Sequence, residues 1–203
     1  RARTVKYYAV FAVYILSAIG AWGTDYTWTG GGTDSKWTTE NNWNISGYPG
    51  TDDDTAIFTG NTEVTAVLDG NITISTIKTG TEGASKVTIN TNGYSLTASS
   101  SFIVNAEYNG NKNTNTNTVI TGGGSVKTET FDFPNKNNHN VTIDSGTTLE
   151  ISTTLYGNAD NGTLTFKGSG TLYLPASGAN VDYGESKITY DRSTGLKVLP
   201  LGE

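Results

Sequence analysis

Residues 141–174 read VTIDSGTTLEISTTLYGNADNGTLTFKGSGTLYL, and this stretch decides the fold. Two short segments, Val141-Thr142-Ile143 and Leu149-Glu150-Ile151, recur at one constant spacing as Leu164-Thr165-Phe166 and Leu172-Tyr173-Leu174. Alternation of apolar and polar residues is typical of a strand with one buried face. A repeat of 23 residues that contains several short strands predicts a β-solenoid, in which each coil buries its apolar face against the next one.

The repeat extends toward the N-terminus. One period upstream lie Thr118-Val119-Ile120 and Val126-Lys127-Thr128, and an earlier pair, Val87-Thr88-Ile89 and Tyr94-Ser95-Leu96, is displaced by an insertion. Ile72-Thr73-Ile74 belongs to a coil earlier still. We therefore predict an all-β protein, a right-handed parallel β-solenoid (β-helix) with coils of about 23 residues. A β-sandwich, which also has short strands separated by turns, is the alternative fold.

Composition agrees with an all-β chain and excludes several functions. Hydrophobic residues make up 34% of the chain and charged residues 16%, there are 25 glycines, and no helical periodicity is sustained after residue 23. The absence of cysteine excludes disulfides and thiolate metal sites. The net charge of −6 and the scattered basic residues argue against nucleic acid as a partner. No cofactor and no metal site is predicted.

The segment 1–23 has the pattern of a secretory signal. Arg1, Arg3 and Lys6 precede an apolar run over residues 7–19, and the small residues Ala21 and Gly23 follow. We expect a hydrophobic helix that is removed on export, which predicts an extracellular location, at a bacterial cell surface because the chain lacks disulfides. The alternatives are contact with a membrane through residues 7–22 and a retained assembly helix in an extracellular filament.

Residues 24–60 are rich in tryptophan. Trp28, Trp37 and Trp43 either form a compact cap over the open end of the solenoid or an aromatic platform that binds sugar. The cap is the favoured interpretation because solenoids need an atypical terminal unit. Residues 52–54 are three consecutive aspartates, which fit a solvated turn before a strand better than a calcium loop because the ligand spacing of such loops is missing.

Two segments resemble bacterial surface and autotransporter-passenger β-helix proteins. The first segment has the pattern Trp28…Trp37…Asn42-Trp43…Pro49-Gly50…Asp54-Thr55-Ala56-Ile57-Phe58. The second, residues 162–174, resembles the G-x-L-x-x-x-G-x-G-T-L-x-L strand repeat of passenger domains. The resemblance implies an exported, surface-associated β-helix, and it carries no catalytic residues. A fragment of a longer passenger is one form of this expectation.

Four turn-rich segments share one phase of the repeat. Each of these segments precedes the first strand of a coil, so a solenoid brings them to one edge. The segments are Gly80–Ser85, Asn109–Asn117, Pro134–Asn140 and Gly157–Gly162. Insertions on one face of a repeat protein often form its binding face. We therefore take the Asn-rich runs as candidate contacts with a glycan or a cell surface, through Asn113, Asn115, Asn137 and Asn138. The alternative is plain turn chemistry, for which asparagine is well suited.

The sequence does not indicate an enzyme. Arg192 is the only arginine after residue 23, and His139, the single histidine, is expected to face solvent in an Asn-rich loop. No nucleophile-elbow, zinc-protease or phosphate-binding motif occurs. No catalytic residue is therefore assigned.

The predicted organisation is a signal-like segment at 1–23, a Trp-rich cap at 24–60, a solenoid at 61–199 and a tail at 200–203. The predicted function is that of a structural or adhesin-like surface protein. The alternatives are a carbohydrate-binding module that uses Trp28, Trp37 and Trp43, and a filament subunit, which implies self-association.

Overall fold

The chain folds into two parallel β-sheets that wind around one apolar core. The computed structural model describes residues 23–59, 63–81, 86–104, 116–134, 138–157, 162–176, 181–182 and 187–202. Within these ranges the strands are β1 (Asp25–Trp28), β2 (Thr55–Thr59), β3 (Val64–Val67), β4 (Ile72–Thr81), β5 (Lys86–Asn90), β6 (Ser95–Val104), β7 (Thr116–Thr121), β8 (Ser125–Phe133), β9 (His139–Ile143), β10 (Thr148–Gly157), β11 (Thr163–Gly168), β12 (Thr171–Leu174), β13 (Val181–Asp182), β14 (Lys187–Tyr190) and β15 (Lys197–Pro200). Two short 3₁₀ turns lie at Glu40–Asn42 and Arg192–Thr194.

The strand order is that of a solenoid. Sheet A runs β1-β2-β4-β6-β8-β10-β12-β15, with β13 beside β10, and sheet B runs β3-β5-β7-β9-β11-β14. From β3 onward, the chain passes from a strand of sheet B to a strand of sheet A and then returns one layer further along. Every pairing between these strands is parallel, for example Thr118 with Val141 and Leu149 with Leu172. The predicted parallel β-solenoid is confirmed, because a β-sandwich consists of antiparallel sheets.

The core is a stack of alternate residues from both sheets. Burial alternates along β5, where Val87 and Ile89 point inward while Lys86, Thr88 and Asn90 are only partly buried. The same alternation occurs in β9 and β11, and it places Val, Ile, Leu and Phe side chains inside the coil. Because side chains of a strand alternate between its two faces, the Thr and Asn residues between them point outward.

The 23-residue spacing of the sequence repeat is observed for some neighbouring strands and fails for others, such as β5 and β7, β6 and β8, and β9 and β11. It holds between β7 and β9, and between β8, β10 and β12 in the part of each strand that starts at Ser125, Thr148 and Thr171. In β11, however, Phe166 pairs with Val141. The expected stacking of Val141 on Leu164 is therefore wrong by two residues. A shift of two preserves which face each side chain takes, so the apolar pattern alone does not reveal it.

His139 lies in the core and not in a solvent-facing loop, contrary to expectation. It is the first residue of β9 and shares the inward face with Val141 and Ile143, so that only 1% of its surface is exposed. Its Nε2 lies 3.1 Å from the Thr118 hydroxyl, which lies 2.9 Å from the Thr79 hydroxyl. Burial lowers the pKa of His139 to about 3. The prediction failed because the strand begins earlier than the Asn-rich sequence indicates.

Glycine is required where the chain leaves sheet B. Gly168 ends β11 with φ +109°, and a Cβ at this position would collide with the carbonyl oxygen of Ile143 in the preceding coil. Only a residue without a side chain allows the two backbones to approach so closely at a positive φ. The G-x-G pattern of residues 168–170 therefore follows from coil stacking.

The N-terminal end continues sheet A and then covers it. Strand β1 pairs with β2, and β2 pairs with β4, so the Trp-rich segment is joined to the solenoid by parallel ladders. Isolated bridges join Trp28 to Trp43 and Lys36 to Val67. The hydrophobic helix predicted for residues 7–22 lies outside the described residues. Among the residues that are described, no helix has the length and apolar character needed to cross a bilayer.

Candidate functional site

The three tryptophans proposed as a sugar platform form a buried aromatic cluster. Trp28 and Trp43 are 4% exposed and Trp37 is fully buried. Ring centroids lie 5.0 Å apart for Trp28 and Trp43 and 5.1 Å apart for Trp37 and Trp43, in edge-to-face arrangements, and Phe58 packs against all three. Such geometry is favourable for aromatic pairs.

The indole N–H groups of two of these tryptophans also point into the protein. Trp37 Nε1 donates to the Pro49 carbonyl at 2.8 Å, and Trp43 Nε1 donates to the Trp37 carbonyl at 2.8 Å. Asn42, which is also buried, donates through its side-chain amide to the carbonyls of Asp34 and Lys36. The cluster therefore has the properties of a cap that seals the first coil. It does not offer the exposed, coplanar rings that stacking on a sugar requires.

Asp54 closes a turn below this cap. Its carboxylate accepts hydrogen bonds from the backbone N–H groups of Gly50 and Thr51 at 3.0 Å each, and from that of Thr24 at 3.3 Å. Burial raises the pKa of Asp54, but these N–H donors outweigh it, so the pKa lies below its ordinary value. Asp52 and Asp53 are exposed. In the described ranges, no group of three or more His, Asp or Glu side chains is arranged to hold a metal ion.

The sheet A strands that precede the turn-rich segments all end at one edge. The strand pairs β4–β5, β6–β7, β8–β9 and β10–β11 each enclose one of the turn-rich segments, and their strands are in parallel register. Of the predicted contact residues, Asn138 is exposed immediately before β9. Asn113, Asn115 and Asn137 lie outside the described residues.

A second surface feature was not predicted from the sequence: a shallow groove on the outer face of sheet A. It encloses about 310 Å³. The lining residues come from three neighbouring strands: Thr97, Ala98 and Ser99 of β6, Lys127, Thr128 and Glu129 of β8, and Glu150 and Ser152 of β10. This volume is at the lower end of the range for small-ligand sites.

The groove exists because β8 bends with one residue fewer than its neighbours. Between their paired positions, β6 has two exposed residues, Ser99 and Ser100, and β10 has Ser152 and Thr153. Strand β8 has only Glu129 at this bend. Strand β8 is therefore recessed at Glu129, because the extra residue in β6 and in β10 forms a bulge on either side of it.

The groove carries both signs of charge. Lys127 Nζ lies 3.3 Å from Glu150 Oε2, with 47% and 25% of the two side chains exposed. Glu129 is exposed and adds a second carboxylate. The hydroxyls of Ser99 and Ser152 donate to the carbonyls of Ile74 and Thr128 in the preceding coils, and each hydroxyl oxygen keeps the capacity to accept a hydrogen bond. The groove can therefore both donate and accept hydrogen bonds.

The sequence contains a signal for the groove that was overlooked. The two inward residues that flank the bend are six positions apart in β6 (Leu96 and Phe102) and in β10 (Leu149 and Leu155). They are only five apart in β8 (Val126 and Phe131). The shorter spacing in β8 shows that this strand has one residue fewer than its neighbours at the bend, which is where the recess lies.

Comparison with protein-family models, with curated proteins and with solved structures finds no match. No relative therefore adds to what the chain's own residues indicate about its fold and its sites.

Proposed function

We propose that this chain is part of an extracellular protein of a bacterial cell surface, an adhesin-like β-solenoid related to autotransporter passengers. The solenoid acts as a rigid support, and the connections from sheet A to sheet B contact a glycan or another cell. A right-handed winding is part of the proposal, because crossover connections between parallel strands are right-handed in nearly all proteins.

One observation carries the proposal: β4, β6, β8 and β10, the strands that lead into the turn-rich connections, are parallel neighbours and end at a single edge of sheet A. Neighbouring strand ends lie about 4.8 Å apart, so weak contacts made by successive connections can act together. Two of the connections contain the Asn-rich runs around Asn113 and Asn137. Asparagine side chains offer both donors and acceptors, which suits hydroxyl-rich partners.

Export is supported by the signal-like sequence of the segment 1–23 and by the absence of cysteine. The net charge of −6 agrees with a soluble surface that repels anionic lipid and nucleic acid. The chain is proposed to act by binding and not by catalysis. The hydroxyl–imidazole contact of Thr118 with His139 is buried in the core, out of reach of a substrate, and no cluster of metal-ligating side chains occurs among the described residues.

Two other functions receive less support. A carbohydrate-binding module based on Trp28, Trp37 and Trp43 would need exposed indole faces, whereas these rings are buried. A filament subunit would depend on residues 7–22, which lie outside the described part of the chain. N-terminal sequencing of exported protein separates these cases, because a chain that starts at Thr24 has no assembly helix.

The experiment uses a variant with a shortened connection. Replacing residues 105–115 by a segment as short as the 134–138 connection keeps the flanking strands β6 and β7. Surface-displayed wild-type protein is expected to bind bacterial or host cells, and the variant to bind several-fold less because contacts that act together are lost. The control is a variant in which Glu40 and Ser46 of the cap are both changed to Ala. A shortened variant that folds and binds cells as wild type does would refute the proposed edge.

A further inference from the structure

Most of the backbone around the groove is already hydrogen-bonded within sheet A. Strand β6 lies between β4 and β8, β8 lies between β6 and β10, and β10 pairs with β8 on one side and with β12 and β13 on the other. A peptide therefore cannot add to these strands as a further strand. Any ligand must be recognised by the side chains that project from these strands. The polar groups among them are hydroxyls, one ammonium and two carboxylates.

The charges narrow the class of ligand. Lys127 is neutralised by Glu150, and Glu129 leaves the groove with one net negative charge. An anionic ligand would meet these carboxylates. A metal ion finds too few ligands, since no cluster of three acidic or histidine side chains occurs in the described residues. A neutral ligand with many hydroxyl groups suits this groove, because each hydroxyl can both donate and accept a hydrogen bond. Such a ligand can donate to the carboxylates and serine oxygens and accept from the ammonium group.

The surface next to the groove extends it along the solenoid axis. Thr97, Lys127, Glu150 and Tyr173 occupy matching positions on successive strands of sheet A. Neighbouring strands lie about 4.8 Å apart, so this row spans roughly 14 Å. Tyr173 is half-buried and ends the row with an aromatic ring. Aromatic side chains with one polar end suit an amphipathic partner.

We propose that this groove binds a linear neutral oligosaccharide, which lies along the solenoid axis from Thr97 to Tyr173. Glu129 and Glu150 accept hydrogen bonds from sugar hydroxyls, Lys127 donates, and Tyr173 packs against a sugar ring. The site is separate from the proposed contact edge, because the bend lies four or more residues before the ends of β6, β8 and β10. Binding here does not depend on the surface role.

The test is an NMR titration of the full chain with linear trisaccharides of glucose, mannose, galactose and N-acetylglucosamine. At least one is expected to give saturable amide shifts at Thr97, Lys127, Glu129 and Glu150, with a dissociation constant of about 1 mM or tighter. Glu129→Gln is expected to weaken this binding roughly tenfold, because a hydrogen bond to a charged group is lost. Tyr173→Ala is expected to weaken it as well.

The matched control is Glu63→Gln, which makes the same change at an exposed glutamate that pairs with Lys86 of the other sheet. It is expected to leave the affinity unchanged. The proposal is overturned if none of the trisaccharides shifts the groove amides, if the shifts map to the Trp cluster, or if only Ca²⁺ or trigalacturonate gives them. It is also overturned if Glu129→Gln binds as wild type does. None of these outcomes bears on the shortened-connection experiment, so the two proposals fail separately.

Discussion

At the scale of single residues, His139 is the least expected feature of the core. It is the only ionisable side chain in a ladder of buried polar groups that runs from Thr79 through Thr118. Thr118 and His139 lie on the neighbouring strands β7 and β9 of sheet B, whereas Thr79 lies on β4 of sheet A, so the contacts also cross the core. Such a ladder fixes the register of the coils, because a displaced strand would leave a buried polar group without its partner.

This residue makes stability depend on pH. The folded chain takes up the imidazole proton only near pH 3, whereas the unfolded chain takes it up near pH 6.5. Lowering the pH between these values therefore favours the unfolded chain, by about 1.4 kcal/mol per pH unit. We expect urea unfolding to show a loss of roughly 2–3 kcal/mol between about pH 6.5 and about pH 4.5.

His139→Gln separates this effect from that of the carboxylates. Glutamine can still hydrogen-bond to Thr118 but does not ionise, so the variant is expected to lose much less stability over the same pH interval. Asp54, whose pKa is lowered by its N–H donors, loses its contribution only at still lower pH. An equal pH dependence in both proteins would show that His139 is not buried as described.

At the scale of elements, the Trp-rich segment closes the core at its N-terminal end. An open solenoid exposes the apolar side chains of its last layer, and here Trp37 and Phe58 cover that layer. The opposite end differs. Ile188 and Tyr190 of β14 and Val198 of β15 take inward positions but are only partly buried.

Removing one indole from the cap tests this assignment. Trp37→Ala is expected to reduce the free energy of unfolding by about 3–5 kcal/mol, because a large, fully buried side chain is deleted. Tyr48→Ala, which removes an aromatic ring from a residue that is 39% exposed, is expected to cost less than about 1 kcal/mol. Denaturant unfolding of the two variants measures both values. Equal costs would mean that the tryptophans do not form the seal.

At the scale of the whole molecule, the alternation of residues predicted the solenoid but not its details. Strands β7 to β12 and their parallel stacking follow from the sequence repeat. The two-residue shift of β11 does not, because it leaves the inward side chains inward. The burial of His139 and the recess at Glu129 depend on where each strand begins and bends. These properties are decided by the neighbouring coils and not by local sequence.

The site was predicted less well than the fold for the same reason. The sequence favoured a cap over a sugar platform for the Trp residues, and their rings are buried. The groove was missed because it combines side chains from β6, β8 and β10, which are far apart in the sequence. Only comparing the spacing of inward residues in the three strands reveals it.

Cysteine cross-linking tests the parallel stacking and its register most directly, since the chain contains no native cysteine. Thr142 of β9 pairs with Lys167 of β11, two residues beyond the partner expected from the sequence repeat. The double variant Thr142→Cys/Lys167→Cys places two outward thiols on adjacent strands, within the Cα separation that a disulfide spans. We expect it to form an intramolecular disulfide under mild oxidation, as measured by mass spectrometry, while Thr142→Cys/Thr165→Cys remains reduced. Efficient cross-linking of the second pair, or of neither, would contradict the structure.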